Sequence, residues 1–159
     1  YQKEDVDLFQ MAQEILDHLR PEAEKNGIKL RLNGDHAVRY MEKPIFEEVL
    51  YNLCDNAIRY NRKGGIVSVR IRQDENETRI SVKDTGIGIP MVHQKRIFQR
   101  FYRVDKSHSK EIGGTGLGLS IVKHGANYLG AEIGLESMTG DGSTFWLRWD
   151  NKKTEKTQQ

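Results

Sequence analysis

Two hydrophobic rhythms alternate along this chain, and they set out its elements. Val6, Leu8, Phe9, Ala12, Ile15, Leu16 and Leu19 recur three or four positions apart, the spacing of one buried helical face. The pattern predicts a first helix that kinks at Pro21 and stops at Asn26-Gly27, a good stop signal. IKLRLNG from Ile28 alternates apolar with polar or basic residues as a half-buried strand does, and AVRYM from Ala37 is a shorter strand. Helical spacing returns in PIFEEVLYNLCDNAIRY, Pro44 to Tyr60, through Ile45, Phe46, Val49, Leu50, Leu53, Cys54, Ala57 and Ile58, with Pro44 in a first turn that tolerates proline. After the turn Lys63-Gly64-Gly65, IVSVRIRQ and TRISVKD flank the tight loop DENE and predict an antiparallel hairpin.

DTGIGIP, Asp84 to Pro90, holds two glycines and a proline in seven residues and predicts irregular backbone. A short helix is expected around Lys95 to Phe101. VDKSHSKEIGG, Val104 to Gly114, is polar, has no hydrophobic period and ends in glycines, which predicts a mobile loop. GTGLGLSIVKHGANYLG passes from glycines into a helical pattern, and AEIGLES and STFWLRW close the sheet around the turn TGDG. Residues 1–150 thus read as one domain, and 151–159, NKKTEKTQQ, as a disordered polar tail.

The helix from Pro44 has a second character. At about 100° per residue, Asn52, Asn56 and Arg59 share a stripe that continues the line begun by Ile45 and Val49, so this edge turns from apolar to polar in mid-helix. Asparagine is a mediocre helix former. A solvated edge explains the stripe, and so does a ligand groove whose wall offers amide oxygens and a cation, the groups that a magnesium ion and phosphates require.

The chain has 159 residues, and its 25 Lys+Arg against 23 Asp+Glu are interspersed, without the basic face of a nucleic-acid binder. Cys54 is the single cysteine, set among apolar helix residues, so it reads as a small buried hydrophobe in a reducing, cytosolic setting. No run is long and apolar enough to span a membrane. The amino terminus has no signal-peptide character and no initiator Met, which points to an excised fragment.

Chemistry gathers at the glycines. GTGLGL, Gly114 to Leu119, opens a helix, where backbone amides favour an anion, although a hinge would use the same residues. It lacks both the strand that feeds a dinucleotide fingerprint and the Lys-Ser/Thr of a P-loop. Asp84, at a strand end beside glycines, can accept a hydrogen bond from an exocyclic amine such as that of adenine, or form an Asx turn.

NLCDNAIRY, DTGIGIP, IFQRFYRVD and GTGLGL, in that order, resemble the N, G1, F and G2 boxes of the catalytic ATP-binding domain of sensor histidine kinases, and GSTF at Gly142 to Phe145 resembles the final box. The resemblance covers nearly the whole chain. It implies the Bergerat ATP-binding fold, a two-layer α/β (α+β) sandwich with a mixed, mostly antiparallel sheet under three helices. ATP and Mg²⁺ are the implied cofactors. Asn56 would ligate the metal with help from Asn52, Arg59 would meet phosphate, and Tyr60 would line the site. Asp84 would receive the adenine amine, while Gly86 and Gly88 would let the purine approach. Gly114, Thr115, Gly116, Leu117 and Gly118 would surround the phosphates. Tyr102 and Arg103 would contact the nucleotide at the base of the lid, and Thr144 would lie near the adenine end. Asn56, Arg59 and Arg103 are the implied catalytic set. Phe98 and Phe101 read as anchors of the lid in the core.

The implied reaction passes the γ-phosphoryl group of Mg-ATP to a histidine on a separate dimerisation domain, for relay to a response regulator. The fragment itself is expected to be monomeric, in a homodimeric parent that a membrane could anchor. The family's acceptor histidine stands before an acid and an Arg/Lys-Thr-Pro run, and none of His18, His36, His93, His108 or His124 has that context. His18-Leu-Arg-Pro lacks both the acid and the threonine. An ATP-driven clamp of the chaperone or topoisomerase kind shares the implied fold, and a nucleotide-sensing module without catalysis is a third reading.

Overall fold

The computed structural model describes residues 1–100, 102 and 118–152. In chain order the elements are β1 (Glu4–Asp7), α1 (Leu8–Lys25), β2 (Lys29–Gly34), β3 (Val38–Met41), α2 (Lys43–Arg59), β4 (Ile66–Gln73), β5 (Glu77–Asp84), α3 (Met91–Gln94), α4 (Gly118–Tyr128), β6 (Glu132–Met138) and β7 (Gly142–Asp150). Five strands form one sheet in the order β2-β4-β5-β7-β6, with β2 parallel to β4 and every other pair antiparallel. The mixed sheet under three helices agrees with the expected architecture.

Alternation along the strands decides which face is buried. Val67, Val69 and Ile71 of β4, Ile80 and Val82 of β5, and Phe145, Leu147 and Trp149 of β7 all point to the helix side and are almost wholly excluded from solvent. Phe46, Val49, Leu50, Leu53, Cys54, Ala57 and Ile58 of α2 meet them, joined by Leu8, Met11, Ala12, Ile15, Leu16 and Leu19 of α1. Leu50 is fully enclosed. Truncating such a residue to alanine costs about 2–5 kcal/mol, through lost burial and the cavity left behind.

Val6 belongs to β1 rather than to the first helix, where its spacing had put it. The chain turns at Asp7, whose Oδ1 accepts the Gln10 N–H at 3.0 Å and caps α1, while β1 pairs antiparallel with β3. The helix then runs through Pro21 to Lys25. Pro21 is exposed, so its ring and missing N–H face solvent and disturb no core contact. Past the Asn26 C-cap, Gly27 takes a φ of 69°, as the stop signal required.

The helix expected at Lys95–Phe101 sits earlier, as the single turn of α3. Pro90 fixes its start, and hydrogen bonds from Arg96 N to His93 O and from Gln99 N to Arg96 O continue it as separate turns. Asn151, assigned by sequence to the tail, is pinned: its N–H donates to Asn76 O at 2.9 Å and its Nδ2 to Asp74 O at 3.1 Å. The whole of the expected mobile loop, most of the tail, and Phe101 lie outside the described residues.

Two glycines of the last helix have clear reasons. A Cβ on Gly125 would stand 2.4 Å from Val49 Cγ2, so the close contact of α4 with α2 needs glycine there. Gly130, at a φ of 74°, ends α4 as Ala131 N donates back to Ala126 O at 2.9 Å.

Candidate functional site

Asp84 is the last residue of β5, and by alternation its side chain turns to the buried side, leaving it 4% exposed. One carboxylate oxygen is held by backbone. Oδ1 accepts the Gly86 N–H at 2.9 Å and the Ser143 N–H at 3.2 Å. Among the described residues no buried side-chain polar atom lacks a partner, so Oδ2, which takes no hydrogen bond from them, opens to solvent. Burial pushes the carboxyl up to about 6, and the two N–H donors oppose that shift without cancelling it. The result is an oriented acceptor with one occupied and one available oxygen.

The glycines beside it serve this geometry through the protein's own backbone. A Cβ on Gly86 would meet Tyr60 O at 2.2 Å, and one on Gly88 would meet Met138 O at 2.1 Å. Gly142, at a φ of 84°, would drive a Cβ to 2.1 Å from Asp84 O. These close approaches, by carbonyls at the end of α2 and in β6, by themselves require glycine at both positions. Ile87 N donates to Tyr60 O at 3.2 Å, which fastens the loop after β5 to the C-terminal end of α2. Half-buried Tyr60 therefore enters the site first through its carbonyl.

Ser143, not Thr144, stands next to Asp84. Ser143 is 6% exposed and is the β7 partner of Asp84, whereas Thr144 alternates to the outer face between Lys83 and Glu136. Thr144 shares with Asp84 only the border of a hollow of about 290 Å³ at this end of the sheet. Sequence reasoning missed Ser143, although the strict period of two running back from buried Trp149 through Leu147 and Phe145 reaches it.

The polar edge of α2 forms a second wall. Asn52 donates through Nδ2 to Glu48 O at 2.7 Å, one turn back, leaving Oδ1 available. That oxygen lies 3.4 Å from where a Cβ of Gly118 would be, so the end of the glycine-rich stretch comes to rest against Asn52. Asn56, one turn on, is half-buried, and its side-chain amide takes part in no hydrogen bond among the described residues. Arg59 is held by Asp55 through Nε at 2.9 Å. Two motifs more than sixty positions apart thereby meet.

Tyr102 follows the turns that continue α3, its N–H donating to Gln99 O at 3.1 Å. Its hydroxyl is hydrogen-bonded to His93 Nδ1, and the Arg96 guanidinium lies over its ring at 4.7 Å. Phe98 packs edge-on against Phe145 with 6.1 Å between ring centres, the core anchor anticipated from sequence. Arg103, Gly114, Thr115, Gly116 and Leu117 lie outside the described residues. His18 is exposed on α1, its ring 6.0 Å from that of Tyr51. No helix among the described residues is long and apolar enough to cross a membrane.

Known proteins resemble this chain over most of its length. The family described as "Histidine kinase-, DNA gyrase B-, and HSP90-like ATPase" matches residues 41–153. Sensor-like histidine kinase SenX3 of Mycobacterium tuberculosis is 38% identical over 144 residues, which are 90% of this chain and 35% of that protein. Sensor histidine kinase WalK of Bacillus subtilis is 44% identical over 100 residues, covering 62% of this chain and 16% of that one. The chain therefore spans about a third or less of these curated relatives. The nucleotide-free catalytic domain of histidine kinase ThkA superposes with a TM-score of 0.82 at 23% identity, covering 95% of this chain and 97% of that one, which establishes the fold. Full-length ShkA, solved in complex with AMPPNP, gives a TM-score of 0.79 at 25% identity over 92% of this chain and 30% of its own. With α2, the Asp84 loop and β6–β7 all inside the matched segment, the chain belongs to the histidine kinase-, DNA gyrase B- and HSP90-like ATPase family.

Proposed function

We propose that this chain binds Mg-ATP and passes its γ-phosphoryl group to a histidine on a separate dimerisation and phosphoacceptor domain, the first step of a relay to a response regulator. The observation that carries this reading is the meeting of Asn52 with Gly118 on one edge of α2, with Asp84 at the end of the neighbouring strand. A base with an exocyclic amine would bond the open Oδ2 of Asp84. Phosphates would lie along α2 toward the start of α4, where helix-terminal amides favour anions. The AMPPNP in the ShkA complex supports an adenine nucleotide as the ligand class.

Asn56 suits magnesium because its amide oxygen is a hard, neutral ligand, and Mg²⁺ is held in such sites by few protein oxygens together with phosphates and water. Among the described residues no group of three His, Cys, Asp or Glu side chains could hold a metal alone, so a single amide ligand would need the nucleotide's own oxygens. Bound magnesium would offset phosphate charge. Arg59 would add its charge near the phosphates, with Asp55 fixing its direction, and Arg103 would join from the lid side. Positioning and electrostatics do most of the work in such transfers.

The test supplies labelled ATP to the chain alone and with the phosphoacceptor domain of its parent. Acid-labile label on that domain and none on the isolated chain is the expected result. Label on His18 would overturn the assignment of the acceptor, and brisk release of inorganic phosphate without transfer would favour a clamp-type ATPase.

A further inference from the structure

Arg62 lies just beyond the end of α2 on the exposed surface, outside every group assigned above. Its guanidinium bridges two segments that are distant in sequence, with Nη2 donating to Gly86 O at 3.1 Å and to Gly140 O at 2.7 Å. Both segments hold Asp84. Gly86 gives its N–H to Asp84 Oδ1 while its carbonyl accepts from Arg62. The turn after β6 does the same in two steps: Gly140 O accepts from Arg62, and a little further along Ser143 N donates to Oδ1. Gly140 N also donates to Ile87 O at 2.9 Å, which closes the ring.

We propose that Arg62 is a specificity-determining positioning residue: by gripping both backbone segments that anchor Asp84 Oδ1, it keeps Oδ2 aimed at the 6-amino group of a purine nucleotide. This rests on the adenine contact proposed for Asp84 and deepens it. One nitrogen, Nη2, gives its two hydrogens to the two carbonyls, and the rigid planar guanidinium holds those hydrogens in fixed directions, whereas a lysine ammonium rotates on a flexible stem. Gly86 is a buried residue and Gly140 an exposed one, and the guanidinium that joins their carbonyls fixes the separation between the two loops. Loss of that separation rotates the carboxylate and weakens the amine contact, while the phosphate wall on α2 is left in place.

The experiment compares binding of ATP and of purine riboside 5′-triphosphate, which lacks the 6-amine, with Mg²⁺ present, by calorimetry on the wild type, Arg62→Ala, Arg62→Lys and Asp84→Asn. The wild type is expected to prefer ATP roughly tenfold or more, as befits a hydrogen bond to a charged acceptor. Arg62→Ala should cut that preference roughly threefold or more, mostly through weaker ATP binding, with Arg62→Lys in between. Asp84→Asn should abolish it. If the wild type discriminates and Asp84→Asn does not, yet Arg62→Ala keeps the full preference or weakens both nucleotides equally, Arg62 is merely structural and the Asp84 reading survives. A wild type without preference removes the Asp84 reading and the role of Arg62 with it. Should Arg62→Ala fail to fold, Arg62→Met, which keeps the stem and lacks any donor, decides, and a wild-type preference there overturns the proposal.

Discussion

Replacing Asp84 with asparagine should make the free protein more stable at neutral pH while weakening its nucleotide binding. Burial raises the carboxyl from 3.8 to about 6 in the folded chain. The gap is about 2 units, and at about 1.4 kcal/mol per unit the ionised form costs the fold up to about 3 kcal/mol. The sign follows from proton binding. Below the unfolded value both states carry the proton and no cost arises; as pH rises from about 4 to about 6 the unfolded chain ionises first, so stability falls; above about 6 the full cost is present. The amide of the Asp84→Asn variant would be neutral throughout, keep an acceptor for the Gly86 and Ser143 N–H groups, and add a donor that must find water. A gain of about 2 kcal/mol at pH 7.5, shrinking toward zero at pH 4.5, is the expected outcome of urea denaturation on both proteins. Asp74 and Glu77, whose carboxyls are held low by the hairpin amides and by Arg148 respectively, contribute below this window and equally in both proteins. Equal stabilities at pH 7.5, or a difference that does not change with pH, would refute the reasoning from burial.

Gly125→Ala should cost about 1–3 kcal/mol by forcing α4 away from Val49, and Val49→Ala should recover part of that loss in a double-mutant cycle, read by denaturation. Asn56→Ala should leave ATP affinity in EDTA nearly unchanged and remove the enhancement given by Mg²⁺; calorimetry showing the same metal dependence as wild type would sink the assigned ligand. Steady-state ATP hydrolysis by the isolated chain should stay near background and be unaffected by Glu48→Gln, because Asn52, one turn before Asn56, cannot accept a proton at neutral pH. A loss of brisk turnover in Glu48→Gln would favour the clamp-type reading.

The sequence was most informative where local period and function coincided. The buried face of α2 and its polar edge were both visible because 3.6-residue geometry sorts them, and the β4–β5 hairpin followed from alternation around DENE. β1 was not, since four residues ending in an Asp cap carry too little pattern to separate from the helix they precede, and only pairing with β3 makes them a strand. Long-range packing hid the reasons for several glycines. Gly88 and Gly142 look like permissive loop residues until Met138 O and Asp84 O are seen to occupy their missing side chains, and Gly125 looks like a defect until Val49 fills the gap. Ser143 and Thr144 show the opposite failure. Both sit in the final box, and only the register of β7 against β5 decides that the serine faces Asp84.

That register would separate two kinds of recognition in the proposed site. At the Asp84 end main-chain donors to Oδ1 orient the carboxylate whose Oδ2 would meet the base, and they lie at or beside glycines with no room for a Cβ. Along α2 the groups that would face phosphate are side chains on the polar edge, with Asn52 bonded to Glu48 O and Arg59 to Asp55. Changes there should alter charge and metal affinity without moving the sheet. Base selectivity and phosphoryl chemistry should therefore be separable by mutation, with substitutions at Asn52 and Asn56 lowering the Mg²⁺ response for purine nucleotides with and without the 6-amine alike. A common loss of base preference in all four variants, Asn52→Ala, Asn56→Ala, Arg62→Ala and Asp84→Asn, would mean that the groove responds as one unit and that the backbone frame around Asp84 is not independent of the helix edge.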